Sequence, residues 1–590
     1  MIEARFDDLL PGAERSFRLT EPFGVIEARR AREVPDAIEA AEAAASRGLW
    51  AAGYVAYEAA PGLDPDLSVR VRPPDDPFAE MPLAWFALFE RKEDVRPLEP
   101  TRGEPPPAAE SPWRPSVDRA AYDAAIERIR ELIAAGHTYQ VNHTIRLRAA
   151  IHGDARGLYR DLSLAQRGGY AAYLDLGRHR VVSASPELFF RIDGERIRTR
   201  PMKGTAPRGR WLAEDEEAAA RLIDSAKDRA ENAMIVDLLR NDLGRICRPG
   251  SVGVRRLFEA ERYETVWQLT STIEGELRPG TTVLETLRAL FPSGSVTGAP
   301  KVRTMRIIAD LEDSARGPYC GAIGYLAPQG SGEPRANFSV AIRTVVHDAR
   351  TQIAEYGVGG GITHDSSAPA EYDEVLAKTR VLHEVRPAFE LFETVPHLPA
   401  EGFLHLPEHL ERMGTSATYF GFRFDAEAAA ATLKQAVAET AGPCLVRLTH
   451  ARDGTLTTEV RELPPADQRV RAALDDEPVD PNDVWLFHKT SRRAPYDRRR
   501  DRRPDVDDVI LRNDRGEVTE STIANLAVEI DGVWVTPPIA SGLLPGTYRA
   551  VLLREGRLTE RPITVEHLER STGLALVSSA RGWRPATLVP

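Results

Sequence analysis

Residues 122–149 read YDAAIERIRELIAAGHTYQVNHTIRLRA, and the change of period inside this stretch sets the fold class. Ile126, Ile129, Leu132 and Ile133 fall on one helical face, and Gly136 supplies a stop. The segment YQVNHTIRLRA that follows has the character of a strand. Helices and strands alternate in this way to about Arg386, with no short repeat of the solenoid kind. A second unit opens with FELFETV at Phe389 and carries its own helices, strands and glycine turns. The expected class is therefore α/β and α+β, with one unit over 1–386 and another over 387–590. A chain of 590 residues is too long for a single core, which agrees with this division. The proline- and glutamate-rich stretch 95–117 reads as a surface loop inside or between subdomains of the first unit.

Hydrophobic residues make up 42% and charged residues 28%, the balance of an ordinary globular protein. No apolar run approaches the roughly 18 residues that span a bilayer. The amino-terminal MIEARFDDLL is acidic where a secretory signal would be basic, so a cytoplasmic location is expected, without membrane attachment. A net charge of -12 disfavours nucleic acid as a partner. The basic run Arg498 to Arg503 is interrupted by Asp501 and followed by Asp505, Asp507 and Asp508, and is read as a solvated loop. Cys247, Cys320 and Cys444 lack metal-ligand spacing and read as buried reduced thiols.

Two carboxylate pairs stand at helical spacing, Asp228 with Glu231 and Glu371 with Glu374. Such pairs commonly form solvated helix faces, yet two of them facing one pocket could hold a hard cation against an anionic substrate. In PMKGTAPRG, Lys203 stands between Pro201 and Gly204. By spacing alone it reads as a surface lysine in a turn; buried, it could act as a nucleophile.

The blocks around these residues carry more. YQVN at 139–142, SPELFF at 185–190, PMKGT at 201–205, AENAMIVDLLRNDLGRI at 230–246, SGSVTGAPK at 293–301, YCGAIGY at 319–325, AIRT at 341–344, GGGITHDS at 359–366 and EYDEVLAK at 371–378 follow in order. Together they resemble the chorismate-utilising family that includes anthranilate synthase component I and aminodeoxychorismate synthase component I, over roughly 120–385. The resemblance implies that Lys203 attacks the chorismate ring at C2 and displaces the C4 hydroxyl, after which ammonia enters at C4. A lysine in this motif is typical of the aminodeoxychorismate synthases, whereas anthranilate synthases usually carry alanine there. Glu187 is implied as general acid and base, and Glu231 with Glu374 as Mg²⁺ ligands. Arg343 is the candidate to pair with a substrate carboxylate through two hydrogen bonds. Gln140, Thr297, Tyr319, Gly359, Gly360 and Lys378 complete the implied substrate contacts; relatives that add water to chorismate tend to have a lysine at the position of Gln140. Met202 and Gln268 depart from the commoner isoleucine and histidine of the family. No cysteine lies in a glycine-rich nucleophile setting, so ammonia is expected from a separate glutamine amidotransferase.

In the second unit a lysine, an acid and an anion cradle appear in order: Lys489 in WLFHKTSRRAPYD, Glu520 in GEVTESTIANL, and Gly546 with Thr547 in GLLPGTYRAVLL, where a helix could open. With HLPEHLERMGTSATYFGF at 405–422 and SSARGW at 578–583, these words resemble the class IV aminotransferase family, or fold type IV, over most of 389–590. The resemblance implies pyridoxal phosphate attached to Lys489, which also moves protons, with Glu520 at the pyridine nitrogen. It places Arg412, Gly546, Thr547 and Ser579 at the phosphate and suggests a homodimer. A lyase releasing pyruvate and 4-aminobenzoate from aminodeoxychorismate fits the fusion to the first unit. Transamination of an amino acid would use the same residues, and a first unit making 2-aminobenzoate is the other alternative.

Overall fold

The computed structural model describes residues 2–12, 15–100, 111–383, 388–464 and 469–590. The middle of the proline-rich loop, 101–110, and the expected boundary at 384–387 lie outside the described residues. The backbone divides into two units, 1–208 with 219–388, and 209–218 with 389–590.

In the first unit the helix expected over 122–135 runs Arg119–Ala134, and the Asp118 side chain caps it by accepting from the Ala121 N–H. It buries Tyr122, Ile126 and Ile129 against Val141, Ile145 and Leu147 of the strand Gln140–Ala150. That strand pairs antiparallel with Ile353–Ile362, in a register that sets Gly359, Gly360 and Gly361 opposite Thr144, His143 and Asn142. Near its start, Val141 and Gln140 pair with the short strand Gly298–Ala299. The strand Met202–Pro207 pairs with Val266–Glu276, and its register shifts between Met202 and Thr205. Gly204, inside the shift, has φ +103°, a conformation that side chains strain to adopt, and so the strand can bulge at Lys203. The helix Ala226–Gly244, capped by Ser225, lies against this bulge. Its Asn232 amide donates to the carbonyls of Lys203 and Leu269, fixing the backbone on either side.

The second unit holds a four-stranded antiparallel sheet in the order Gly402–Phe403, Leu391–Leu398, Cys444–His450 and Leu456–Glu462. A nine-stranded sheet follows, and the pairing of Glu520 with Asn525 closes part of it on itself. Its core gathers Val470, Ile510, Val518, Leu526, Val528 and Leu576. The segment 209–218 is part of this unit: Trp211 packs on Phe487 with ring centres 5.2 Å apart, and the Tyr419 hydroxyl donates to the Gly209 carbonyl at 2.7 Å. The basic run read as a loop is instead the end of a helix, Ala494–Arg502. Asp475 compensates it, accepting from Arg499 at 2.6 Å and Arg502 at 2.9 Å, which a local reading of charge could not foresee. All three cysteines are buried and free. Among the described residues no helix is long and apolar enough to cross a membrane.

Candidate active sites

The first unit contains a cavity of about 360 Å³. Glu187, Lys203, Glu231, Tyr319, Arg343, Gly359, Gly360, Glu374 and Lys378, all expected from sequence, line it. The Lys203 ammonium stands 3.2 Å from the Glu231 carboxylate. A side chain at position 361 would collide with that ammonium and with the Gln140 amide, which explains a glycine there. Gln140 lies behind the wall rather than in it, fully buried with neither amide atom partnered. Thr297 is also buried, and its hydroxyl turns away to the Ser293 carbonyl at 3.0 Å.

Glu187 is 3% exposed, and burial pushes its carboxyl up to about 8. Ser295 donates to it at 2.6 Å, a partner the motif reading did not single out. Glu374 and Lys378, one turn apart on the helix Ala368–Thr379, form a 2.5 Å pair, and the lysine chiefly holds the carboxyl below its usual value. The same lysine donates to the Gly359 carbonyl at 2.8 Å. Glu371 was grouped with Glu374 by spacing, but burial raises its pKa, and one of its oxygens is buried without a partner. Arg343 hydrogen-bonds the Lys378 carbonyl at the cavity wall. Gln268 accepts from Thr205 at 3.1 Å, so it braces the strand that carries Lys203. Among the described residues no three His, Cys, Asp or Glu side chains gather as a metal cage. Glu231 and Glu374 nevertheless suit a hard cation that takes its other oxygens from substrate and water.

A cavity of about 400 Å³ in the second unit brings together Lys489, Glu520, Arg412, Gly546, Thr547 and Ser579. Lys489 follows a short helical turn, Val484–Phe487, and its carbonyl accepts from the Phe392 N–H at 3.1 Å. Burial lowers the lysine to about 7, and Arg412 adds to the effect. Glu520 accepts from the Tyr496 hydroxyl at 3.0 Å and the Leu544 N–H at 3.2 Å, and burial raises it to about 8. The helix Thr547–Arg554 opens at the cavity, with Gly546 as its cap. Sequence reading missed two organisers here. Glu393 accepts from Arg412 at 2.8 and 2.6 Å and is joined by His409 at 2.7 Å; His409 in turn reaches Ser579 at 2.8 Å. Burial opposes ionisation of Glu393, but Arg412 and His409 outweigh it and bring the carboxyl down to about 2. Its only sequence signal was an acid in the strand-like FELFETV. The donor set fits pyridoxal phosphate: a lysine of low pKa, an acid for the ring nitrogen, and hydroxyls with a helix start for a phosphate.

Residues 9–384 match the family of chorismate binding enzymes, and residues 390–589 match amino-transferase class IV. Aminodeoxychorismate synthase component 1 of Salmonella typhimurium is 42% identical over 275 residues, covering 46% of this chain and 59% of the relative. Anthranilate synthase component 1 of Aquifex aeolicus is 38% identical over 270 residues, 46% of this chain and 53% of the relative. The chain thus spans between half and three fifths of the length of these two relatives. The crystal structure of anthranilate synthase component I from Streptococcus pneumoniae matches with a TM-score of 0.53 at 26% identity, over 63% of this chain and 93% of that one. With more than half of its length matched to one family and most of the remainder to another, the chain belongs to the chorismate binding enzymes and carries a class IV amino-transferase domain as its second unit.

Proposed function

We propose that the first unit replaces the C4 hydroxyl of chorismate with an amine, and that the second removes pyruvate from the product to give 4-aminobenzoate for folate synthesis. The observation that carries this reading is the lysine at position 203, whose amine shares a cavity with the buried carboxyl of Glu187. The two named relatives divide between two activities at similar identity, so this residue weighs more than overall likeness.

Lys203 would add to C2 of the ring while the double bonds shift and the C4 hydroxyl leaves as water with a proton from Glu187. With its pKa near 8, Glu187 is mostly protonated at neutral pH and has that proton to give. Ammonia then bonds to C4 and Lys203 leaves C2, so the net change is hydroxyl for amine. Arg343 presents a planar fork to a substrate carboxylate, and Gly359 and Gly360 let substrate approach the backbone. Tyr319, Lys378, Gln140 and Thr297 are proposed to shape or back the same pocket. Glu231 and Glu374 would hold Mg²⁺, which offsets the charge of the ring carboxylate.

In the second unit Lys489 would carry pyridoxal phosphate, with Glu520 at the ring nitrogen and Arg412, Gly546, Thr547 and Ser579 about the phosphate. When bound, the cofactor supplies an electron sink. Lys489, lowered to about 7, takes the proton from C4 of the substrate, enolpyruvate departs from C3, and the ring becomes aromatic. A separate glutamine amidotransferase is proposed as the ammonia source, and two copies of the chain are proposed to pair through the second unit.

The test is to incubate the chain with chorismate, ammonium, Mg²⁺ and pyridoxal phosphate and to identify the products. Equimolar 4-aminobenzoate and pyruvate are expected. Formation of 2-aminobenzoate would overturn the first assignment, and accumulation of aminodeoxychorismate the second.

A further inference from the structure

The cavity of the second unit is far more cationic than its proposed cofactor requires. Eight arginines and Lys489 line it, against the two carboxylates of Asp507 and Glu520, in a chain whose net charge is -12. Some of these arginines already have work. Arg412 is held by Glu393, Arg461 pairs with Glu459, and Arg493 donates to the Thr522 carbonyl. Arg447, Arg581 and Arg584 are in no ion pair with a carboxylate among the described residues.

Arg447 lies on the strand Cys444–His450, directly across from Glu459, the residue that would ordinarily neutralise it. Arg461 takes both oxygens of that carboxylate, at 2.8 and 2.6 Å. Arg447 instead rests on the Phe392 ring, its guanidinium carbon 4.0 Å from the ring centre. The Lys489 ammonium is 4.9 Å from the centre of the same ring. One aromatic side chain thus contacts both the arginine and Lys489.

Arg584 comes from the other sheet, on the strand Gly582–Val589. It is 4% exposed, and its Nε is buried without a partner. The carboxylates whose charge it feels are engaged elsewhere: Asp507 accepts from the Arg471 N–H, and Asp508 from the hydroxyls of Ser521 and Thr522. Arg581 stands near enough to repel it. A buried guanidinium nitrogen without a partner, as at Arg584, is costly unless an anion completes it.

We propose that Arg447 on one sheet, and Arg584 on the other with Arg581 in the turn before its strand, are two separate carboxylate receptors, so that the substrate of this cavity is an amine bearing two carboxylates. The inference rests on reading the second unit as a lyase, and it deepens that reading. Lysine and acid chemistry alone serves lyase and aminotransferase equally, whereas two receptors suit a ring carboxylate plus an enolpyruvyl carboxylate. A simple monocarboxylate amino acid would fill only one.

The test uses the full chain loaded with pyridoxal phosphate and follows the absorption band of the bound cofactor, which reports on this cavity alone. The probes are 3-(carboxymethoxy)benzoate, with two carboxylates in a meta relation, and benzoate, with one. The dicarboxylate is expected to bind at least about tenfold more tightly, the scale of one charge-assisted carboxylate contact. Arg447→Gln and, separately, Arg581→Gln should each reduce that preference to about threefold or less, and should raise KM for aminodeoxychorismate with kcat little changed. Arg584→Gln is read only if the variant keeps its cofactor band; the half-buried Arg447 and Arg581 keep the test decisive if it does not. Equal binding of the two probes, or an unchanged preference in both of the other variants, overturns the proposal. If pyruvate is never released yet the dicarboxylate preference and its loss are seen, the lyase reading fails and the receptor assignment stands. If 4-aminobenzoate forms but the arginine variants change neither KM nor preference, the reverse holds.

Discussion

Ser295 donates a 2.6 Å hydrogen bond to the carboxyl of Glu187, the acid that burial raises to about 8. Activity that needs the protonated acid should hold below that pH and fall as pH rises through it. The serine favours the charged form, so Ser295→Ala should move the alkaline limb of kcat/KM for amination to higher pH. Glu187→Gln should abolish the limb and cost about 10²- to 10⁴-fold in kcat. A pH–rate profile of the three proteins checks this; an unmoved limb in Ser295→Ala would show that another group titrates.

Lys203→Ala should stop consumption of chorismate while leaving the second unit able to convert supplied aminodeoxychorismate. Gly361→Ala should resemble it in the first reaction, because the added methyl displaces the Lys203 ammonium and the Gln140 amide. Separate assays of chorismate loss and pyruvate release distinguish the two steps.

Lys489 is lowered to about 7, so its amine is half deprotonated near neutral pH. The rate at which cofactor-free chain captures pyridoxal phosphate should rise with pH and level off above about 7, rather than continue toward the range of an ordinary lysine. Stopped-flow absorbance reads this directly, and Lys489→Ala should show no bound band.

Glu393 is buried between Arg412 and His409, and Arg412 and His409 hold its carboxyl near 2. Its folded pKa lies below the unfolded value near 4.5, so the stability it contributes is present above about 4.5 and is lost as pH falls toward 2. Glu393→Gln leaves the Arg412 guanidinium without its carboxylate and should destabilise the second unit by about 3–5 kcal/mol at pH 7. It should also flatten the acid limb of the stability curve. Thermal melts across pH 3–8 test both, and loss of bound cofactor in the same variant would tie the pair to the phosphate cradle.

The parts of this molecule legible in sequence are those whose signal is local. Helical period announced Arg119–Ala134, and ordered motif blocks placed Lys203 and Glu187 in one cavity. What escaped was supplied from a distance. The carboxylate that binds Arg499 comes from Asp475, 24 positions away, and so a run that reads as a solvated loop folds as a helix. Glu393 and His409 gain meaning only when strand and helix set them beside Arg412 and Ser579. Gln140 shows the converse: its buried place behind the cavity wall, on the strand stretch paired with Gly298–Ala299, has no local signal in the sequence.

The segment 209–218 leaves the strand of Lys203 and returns as the approach to the helix of Glu231, yet it is built into the second unit, where Trp211 meets Phe487 and the Arg210 carbonyl meets the ring of His488, next to Lys489. The second unit is therefore discontinuous in sequence. A cut at the apparent junction near 387 would strip the carboxy-terminal piece of ten residues encoded far upstream and leave Phe487 without its indole partner.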